Sequence, residues 1–292
     1  MHQTDQARMT IRRVPFAYRP DIALHWNAAR PEFSQIVNAA SLAMPYLEPY
    51  LIKTMRKVRP QITDPALIAD LDLYCAQEST HYLKHRKFNE TVAAHRPEAV
   101  AALEATLADD YEALGAKRSL RFNLAYAEGF ESMALAIGHM LIEDREYLFG
   151  GAEPAVASLI LWHFVEEIEH KNVTFDVFKA YSGDYVWRLI GLFYATVHIM
   201  GRTRSGYKRL LKEDGLWFNL QSRLTLARLL VRIFGKLLPR LARILHPSYH
   251  PRQVADPDWM RAWANLHDSG AAAVAQIDTA HLRDPAPVAL AA

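Results

Sequence analysis

His163, Glu167 and His170 stand four and three residues apart in the stretch Trp162-His-Phe-Val-Glu-Glu-Ile-Glu-His-Lys-Asn-Val-Thr-Phe-Asp176. On an α-helix, at about 100° per residue, these side chains fall within a sector of roughly 60° on one face. Two imidazoles and a carboxylate so placed can meet one cation, and that donor mixture suits Zn, Fe, Cu and Mn. Glu78-Ser-Thr-His81 repeats the Glu-x-x-His spacing about ninety residues earlier. One Glu-x-x-His arises often by chance in helices, but two make a shared metal site the better explanation of both.

Two such pairs, with one further Glu from each of two other helices, form the ligand set of ferritin-like dimetal-carboxylate bundles. Glu48 and Glu128 are the candidates on the other helices, so the expected ligands are Glu48, Glu78, His81, Glu128, His163, Glu167 and His170. Four buried carboxylates would each cost several kcal/mol if unpaired, and two divalent cations bring their charge to zero. Glu131, one turn beyond Glu128, is its rival: a bridging ligand, an acceptor behind the ligands, or the actual ligand of that helix. His163 is surplus to a two-fold Glu-x-x-His site and would make one metal position richer in nitrogen. His85, one turn past His81, is placed to support a ligand or touch substrate. Cys75, one turn before Glu78, reads most simply as a small buried hydrophobe, with support of the site as its alternative role. Glu166 and Glu169 point elsewhere around the helix and fit salt bridges.

The elements that must position these residues are helical. Pro31 is well placed at a first helical position, and the segment behind it meets Pro45 and Pro49, which predicts a bend beside Glu48 and resumption of the helix as far as Pro60. Asp64-Pro65 is a start signal for the helix carrying Glu78, His81 and His85. Pro97 opens a connecting helix to about Leu114, with Gly115 as its stop. A long apolar helix runs from Ser119 to about Arg145, and another from Pro154 to about Tyr181. Alternating strand patterns are missing, so the expected fold is all-α: a ferritin-like four-helix bundle with additional C-terminal helices. The expected organisation is an arm over residues 1–29, the dimetal-binding bundle over 30–182, further helices packed on it over 183–250, and a tail over 251–292. That tail reads as a loop, a short helix and a disordered end.

Composition narrows the class. With 34 basic and 32 acidic residues in a chain of 292, the net charge of +2 gives no global case for nucleic acid as a partner. A single cysteine excludes an intramolecular disulfide and any multi-cysteine metal site, and makes a reducing cytoplasm the expected compartment. The N-terminus lacks the apolar core of a secretion signal. The stretch from Leu189 to Gly201 is nearly uncharged but shorter than the roughly 20 residues a bilayer span needs. Leu224 to Leu245 combines Arg228, Arg232, Lys236, Arg240 and Arg243 with a stripe of Leu226, Leu229, Leu230, Ile233, Leu237 and Leu241. That pattern fits packing on the bundle first and peripheral contact with an anionic membrane second. Gly-x-Ser-x-Gly, Gly-x-Gly-x-x-Gly and a phosphate loop are all absent.

Gln77-Glu78-Ser-Thr-His81 with His85 and Asn89, Ala127-Glu128-Gly-Phe130, the block from Trp162 to Val177, and His246-Pro247-Ser-Tyr-His250-Pro251 together resemble the bacterial family described as predicted metal-dependent hydrolases. The resemblance spans roughly residues 10 to 255 and implies a bound metal. Pro45-Tyr-Leu-Glu48 departs from the Pro-x-Gly-Glu type of segment that the family leads one to expect. The His163-x-x-x-Glu167-x-x-His170 spacing is also similar to that of diiron N-oxygenases acting on arylamines, which share a set of three histidines and four carboxylates.

Two enzyme chemistries follow. The first expectation is a diiron oxidase or oxygenase acting on a small or apolar organic molecule, supplied by an electron donor. The alternative is hydrolysis by water activated between two metals, and a non-enzymatic metal-binding role is a further one. Two metal ions are expected as cofactors, iron first, with Mn or Zn as alternatives.

Overall fold

The computed structural model of the chain describes residues 9–288. Among them the fold is all-α, and the extended pairing is an isolated bridge between Ile277 and Pro287. The helices are α1 (Pro31–Ser41), α2 (Met44–Val58), α3 (Pro65–His95), α4 (Pro97–Lys117), α5 (Leu120–Glu143), α6 (Arg145–Phe149), α7 (Pro154–Glu169), α8 (Val173–Tyr181), α9 (Tyr185–Glu213), α10 (Leu220–Ile244) and α11 (Asp258–Ser269).

Local chemistry sets the boundaries. Asp64 caps α3 by accepting from Ala66 N at 2.9 Å, and Ser119 caps α5 by accepting from Phe122 N at 3.2 Å. Prolines occupy the first turns of α1, α3, α4 and α7, where the missing N–H costs no intrahelical bond.

Three boundaries differ from the expectation. The chain turns at Leu42–Ala43, ahead of Pro45, so Glu48 sits in the opening turns of a separate helix and Pro49 is accommodated within it. Gly115 does not end α4, which continues to Lys117. The helix expected to run unbroken to Tyr181 divides at His170–Asn172. There Val173 N donates to His170 O at 2.9 Å, a tighter three-residue step, and Lys171 is drawn outward to Val254 O and Asp256.

α5 is the central strut, buried on nearly every side as a helix apolar all round must be. α9 lies directly on its backbone: a Cβ at Gly191 would fall 1.9 Å from Ala125 O, and one at Gly129 would fall 2.4 Å from Leu192 N. Leu226, Leu229 and Leu237 turn the inner face of α10 toward the body.

The ends of the described chain are packed as well. Residues 9–30 form an irregular arm that buries Val14, Ile22 and Trp26. Trp259, Met260, Trp263, Val274, Ile277 and Leu282 join the same core from the other terminus. The tail holds the expected short helix as α11, the segment behind it packs by apolar burial as far as Leu282, and residues 1–8 and 289–292, where the last part of the expected disordered end falls, lie outside the described residues.

Candidate metal centre

α2, α3, α5 and α7 bring seven buried side chains together in two groups. Glu48, His81 and His163 form one, and Glu78, Glu131, Glu167 and His170 form the other; within each group the ligand atoms lie within 4.8 Å of one another. None of the seven is more than 5 % exposed. Glu167 joins the groups: Oε1 lies 2.9 Å from His163 Nε2 and 3.5 Å from His81 Nδ1, and Oε2 lies 3.4 Å from His170 Nε2.

The hydrogen-bond network fixes which nitrogen of each imidazole faces the carboxylates. Gln77 Nε2 donates to Thr10 O at 3.1 Å and to Glu169 Oε2 at 3.0 Å. Its Oε1 is then an acceptor, and His170 Nδ1–H donates to it at 3.1 Å. His170 Nε2 is left bare, 3.3 Å from Glu78 and 3.3 Å from Glu131.

A longer relay orients His163. Asn89 Nδ2 donates to Ser41 O at 3.0 Å, and Asn89 Oδ1 accepts from Ser41 Oγ at 2.6 Å. The serine hydroxyl has spent its proton there, so His85 Nδ1–H donates to it at 2.8 Å. His85 Nε2 must then accept from His163 Nδ1–H at 2.6 Å, which turns a bare His163 Nε2 toward Glu167 and, at 3.8 Å, toward Glu48.

His81 follows the same pattern. Its Nε2–H donates to Glu166 Oε2 at 3.1 Å, while Trp162 Nε1 and Arg12 donate to the other oxygen of Glu166. His81 Nδ1 faces inward with no hydrogen-bond partner.

Three lone pairs thus point at four carboxylates in a space without water-facing surface. Both oxygens of Glu48 and of Glu78, one each of Glu131 and Glu167, and the inner nitrogens of His81 and His170 lack a hydrogen bond. Such acceptor-on-acceptor contact is repulsive unless positive charge lies between. Protons can supply part of it. Burial and then the charge of Glu167 hold Glu48 and Glu78 well above the usual carboxylate range, and the same two causes bring Glu131 to about 7. Burial alone would lower His170, but attraction to Glu167 and the contact with Glu131 raise it to about 10. Glu167 goes the other way: burial opposes ionisation, yet the charge of His170 holds it well below the usual range. Cations can take the place of those protons, and divalent metals such as Zn, Fe and Mn match a donor set of imidazole and carboxylate.

A family model described as predicted metal-dependent hydrolase matches residues 10–255. The chain belongs to that family. No curated protein and no solved structure matches it. The matched residues include the cluster and its supports from Thr10 and Arg12 in the arm to Val254 behind Lys171.

In this family member Glu48, Glu78, His81, His163, Glu167 and His170 fall within the two groups. Glu128 does not. It stands on another side of α5, where Oε1 accepts from Ser132 Oγ at 2.9 Å and Arg188 is its charged neighbour. Glu131 occupies the α5 position in the cluster, held by Tyr74 Oη donating to its Oε1 at 2.7 Å. Helix phase separates the two carboxylates by about 60°, enough to change the face each presents. His85 supports His163, and Cys75 is a buried thiol outside both groups, pushed up to about 11 by burial.

The supports were only partly readable. Glu166 and Glu169 do form the expected ion pairs, with Arg12 at 3.4 and 2.6 Å. That Glu166 also holds His81, and that Gln77 holds His170, follows from residues beside the ligands in sequence: Gln77 precedes Glu78 and Glu166 precedes Glu167. Arg12 carries no local signal, since its carboxylate partners lie more than 150 residues away.

Proposed function

We propose that the seven clustered side chains hold two metal ions and that the centre is catalytic, with hydrolysis of a small organic substrate as the reaction class. The observation behind the metal reading is the set of three inward-facing imidazole lone pairs against four buried carboxylates. The family description supports hydrolysis.

When bound, two such cations supply Lewis acidity to a substrate oxygen and acidify water, and iron would add electrons for dioxygen. Glu48, His81 and His163 would hold one ion, Glu78, Glu131 and His170 the other, with Glu167 bridging. Four carboxylates balance two divalent charges. The third imidazole departs from a two-fold Glu-x-x-His set and makes the Glu48 position richer in nitrogen. His85, Glu166 and Gln77 orient the rings, and Tyr74 keeps one oxygen of Glu131 occupied so that the other faces His170. The surrounding apolar packing excludes bulk water and strengthens each of these interactions.

The oxygen-activating reading has one observation in its favour: the donors sit on helices inside a bundle of ferritin-like ligand composition, whereas two-metal hydrolases usually place theirs on loops at strand ends. It would require an electron donor.

Elemental analysis of protein purified with and without oxygen, paired with ester and amide hydrolysis and oxygen-uptake assays, separates the readings. Near-stoichiometric zinc or manganese with hydrolytic turnover is expected. Iron with oxygen-dependent visible absorption and reductant-driven oxygen uptake would replace hydrolysis by oxidation, and no stoichiometric metal would remove both.

A further inference from the structure

The inner stripe of α10 is satisfied by the body, but a second apolar stripe faces outward. Leu220 is 74 % exposed, Leu224 49 %, Val231 74 %, Leu238 56 % and Leu245 37 %. At about 100° per residue these positions share a sector of roughly 60°. α9 repeats the arrangement: Val186, Ile190, Phe193 and Val197 are 61, 40, 60 and 69 % exposed at spacings of four, three and four. Arg204 and Lys208 continue that face toward the end of α9.

The two helices run antiparallel and are joined at both ends. Residues 214–219 connect the end of α9 to the start of α10. At the opposite ends Tyr185 Oη donates to Leu245 O at 2.6 Å, and Arg188 donates to Ile244 O at 2.8 Å and His246 O at 3.0 Å.

Charge on this pair is one-sided. α9 and α10 carry twelve basic residues and one acidic residue, Glu213, in a chain whose net charge is +2. Asp144 engages Arg232 and Lys236, and Glu143 engages Arg240. Among the described residues no carboxylate lies within ion-pair distance of Arg204, Arg228 or Arg243. Arg223 and Lys208 lie over the ring of Trp217, at 3.8 and 5.4 Å from its centroid.

We propose that the outward faces of α9 and α10 dock on the surface of an anionic lipid membrane. Exposed Leu, Val and Phe would enter the boundary between headgroups and acyl chains while the cations meet lipid phosphates. The helices lie in that boundary, since no described helix is long and apolar enough to cross a membrane. A second copy of the chain fits less well, because a two-fold pairing of this surface sets arginine against arginine. The proposal is independent of the reaction at the metal centre.

Co-sedimentation with vesicles of neutral phosphatidylcholine, and of phosphatidylcholine with about one-third phosphatidylglycerol, tests it at low salt and at about 0.5 M salt. Wild type should partition at least tenfold more onto the anionic vesicles at low salt, and salt should release it. Val231→Glu with Leu238→Glu should cut that partition at least tenfold without changing the melting temperature. Phe193→Glu should act in the same direction if the α10 variant proves unstable. Partition at the neutral-vesicle level in low salt overturns the proposal, as does undiminished binding by folded variants. So does a lipid-free dimer in sedimentation velocity that the same substitutions disperse.

Discussion

His85 Nε2 lies 2.6 Å from His163 Nδ1, and this contact keeps the proton of His163 on its outer edge. The inner edge is thereby free to meet a cation beside Glu48 and Glu167. His85→Phe removes the acceptor and leaves an N–H without a partner, which costs about 1–3 kcal/mol and frees the ring to adopt the other tautomer. Metal affinity at the Glu48 position should fall about 10- to 100-fold, while the Glu78–Glu131–His170 position keeps its own. His85→Gln retains an acceptor and should recover part of the loss. Metal titration against a competing chelator reads both sites, and an unchanged affinity in His85→Phe would leave His85 a packing residue.

Glu131 and Glu128 offer the sharpest comparison within one helix. Glu131→Gln should lower bound metal by about one ion per chain, because it removes a charge from the four-carboxylate balance. Glu128→Gln should leave metal content unchanged. Elemental analysis of the two purified variants decides between them, and loss of metal in Glu128→Gln alone would restore Glu128 as the ligand.

The contrast also explains what a sequence makes visible. Pairs such as Glu78–His81 and Glu167–His170 are readable because the helix fixes their mutual geometry at short range. The choice between Glu128 and Glu131 is not, since it depends on how α5 is rotated against α3 and α7. That rotation is set by distant contacts, including the close approach of α9 at Gly129 and Gly191. The break at His170–Asn172 likewise depends on Lys171 finding Asp256 and Val254, some eighty residues on. The amphipathic character of α10 is visible as basic and apolar periodicity, but periodicity alone offers the inner stripe as the apolar face. Only burial shows that Leu226, Leu229 and Leu237 are spent on the core and that Leu224, Val231 and Leu238 remain outside.

Glu128 carries a pH signature of its own. Burial raises it to about 7, with Arg188 and the Ser132 hydroxyl acting in the opposite direction. An unfolded glutamate releases its proton near pH 4.3, so between about pH 4.5 and 7 the native state binds more protons than the unfolded one. Stability from this group therefore falls as pH rises through that window. Glu128→Gln removes the dependence while keeping an acceptor for Ser132. It should be more stable than wild type by roughly 3–4 kcal/mol at pH 7.5, with the difference shrinking toward zero near pH 4. Denaturant unfolding at several pH values measures this, and a pH-independent difference would show that Glu128 does not titrate in the window.

The crossing of α5 and α9 makes the last prediction, because two glycines of α9 differ only in what surrounds them. At Gly191 a methyl group would meet Ala125 O at 1.9 Å and Ala125 C at 2.3 Å, which are backbone atoms that cannot rotate away. Gly191→Ala must push the two helices apart along the strut that carries Glu131. The expected cost is about 1–3 kcal/mol or more, net of the gain of up to ~1 kcal/mol that alanine brings to a helix interior. At Gly201 nothing lies within 4 Å of the same methyl group, so Gly201→Ala should stabilise by a few tenths to about 1 kcal/mol. Because the strut also positions Glu131, Gly191→Ala should weaken metal binding even at temperatures where it remains folded. Thermal unfolding and metal titration of the two variants test both parts. Equal stability of Gly191→Ala and Gly201→Ala would mean that the helices do not approach this closely in solution.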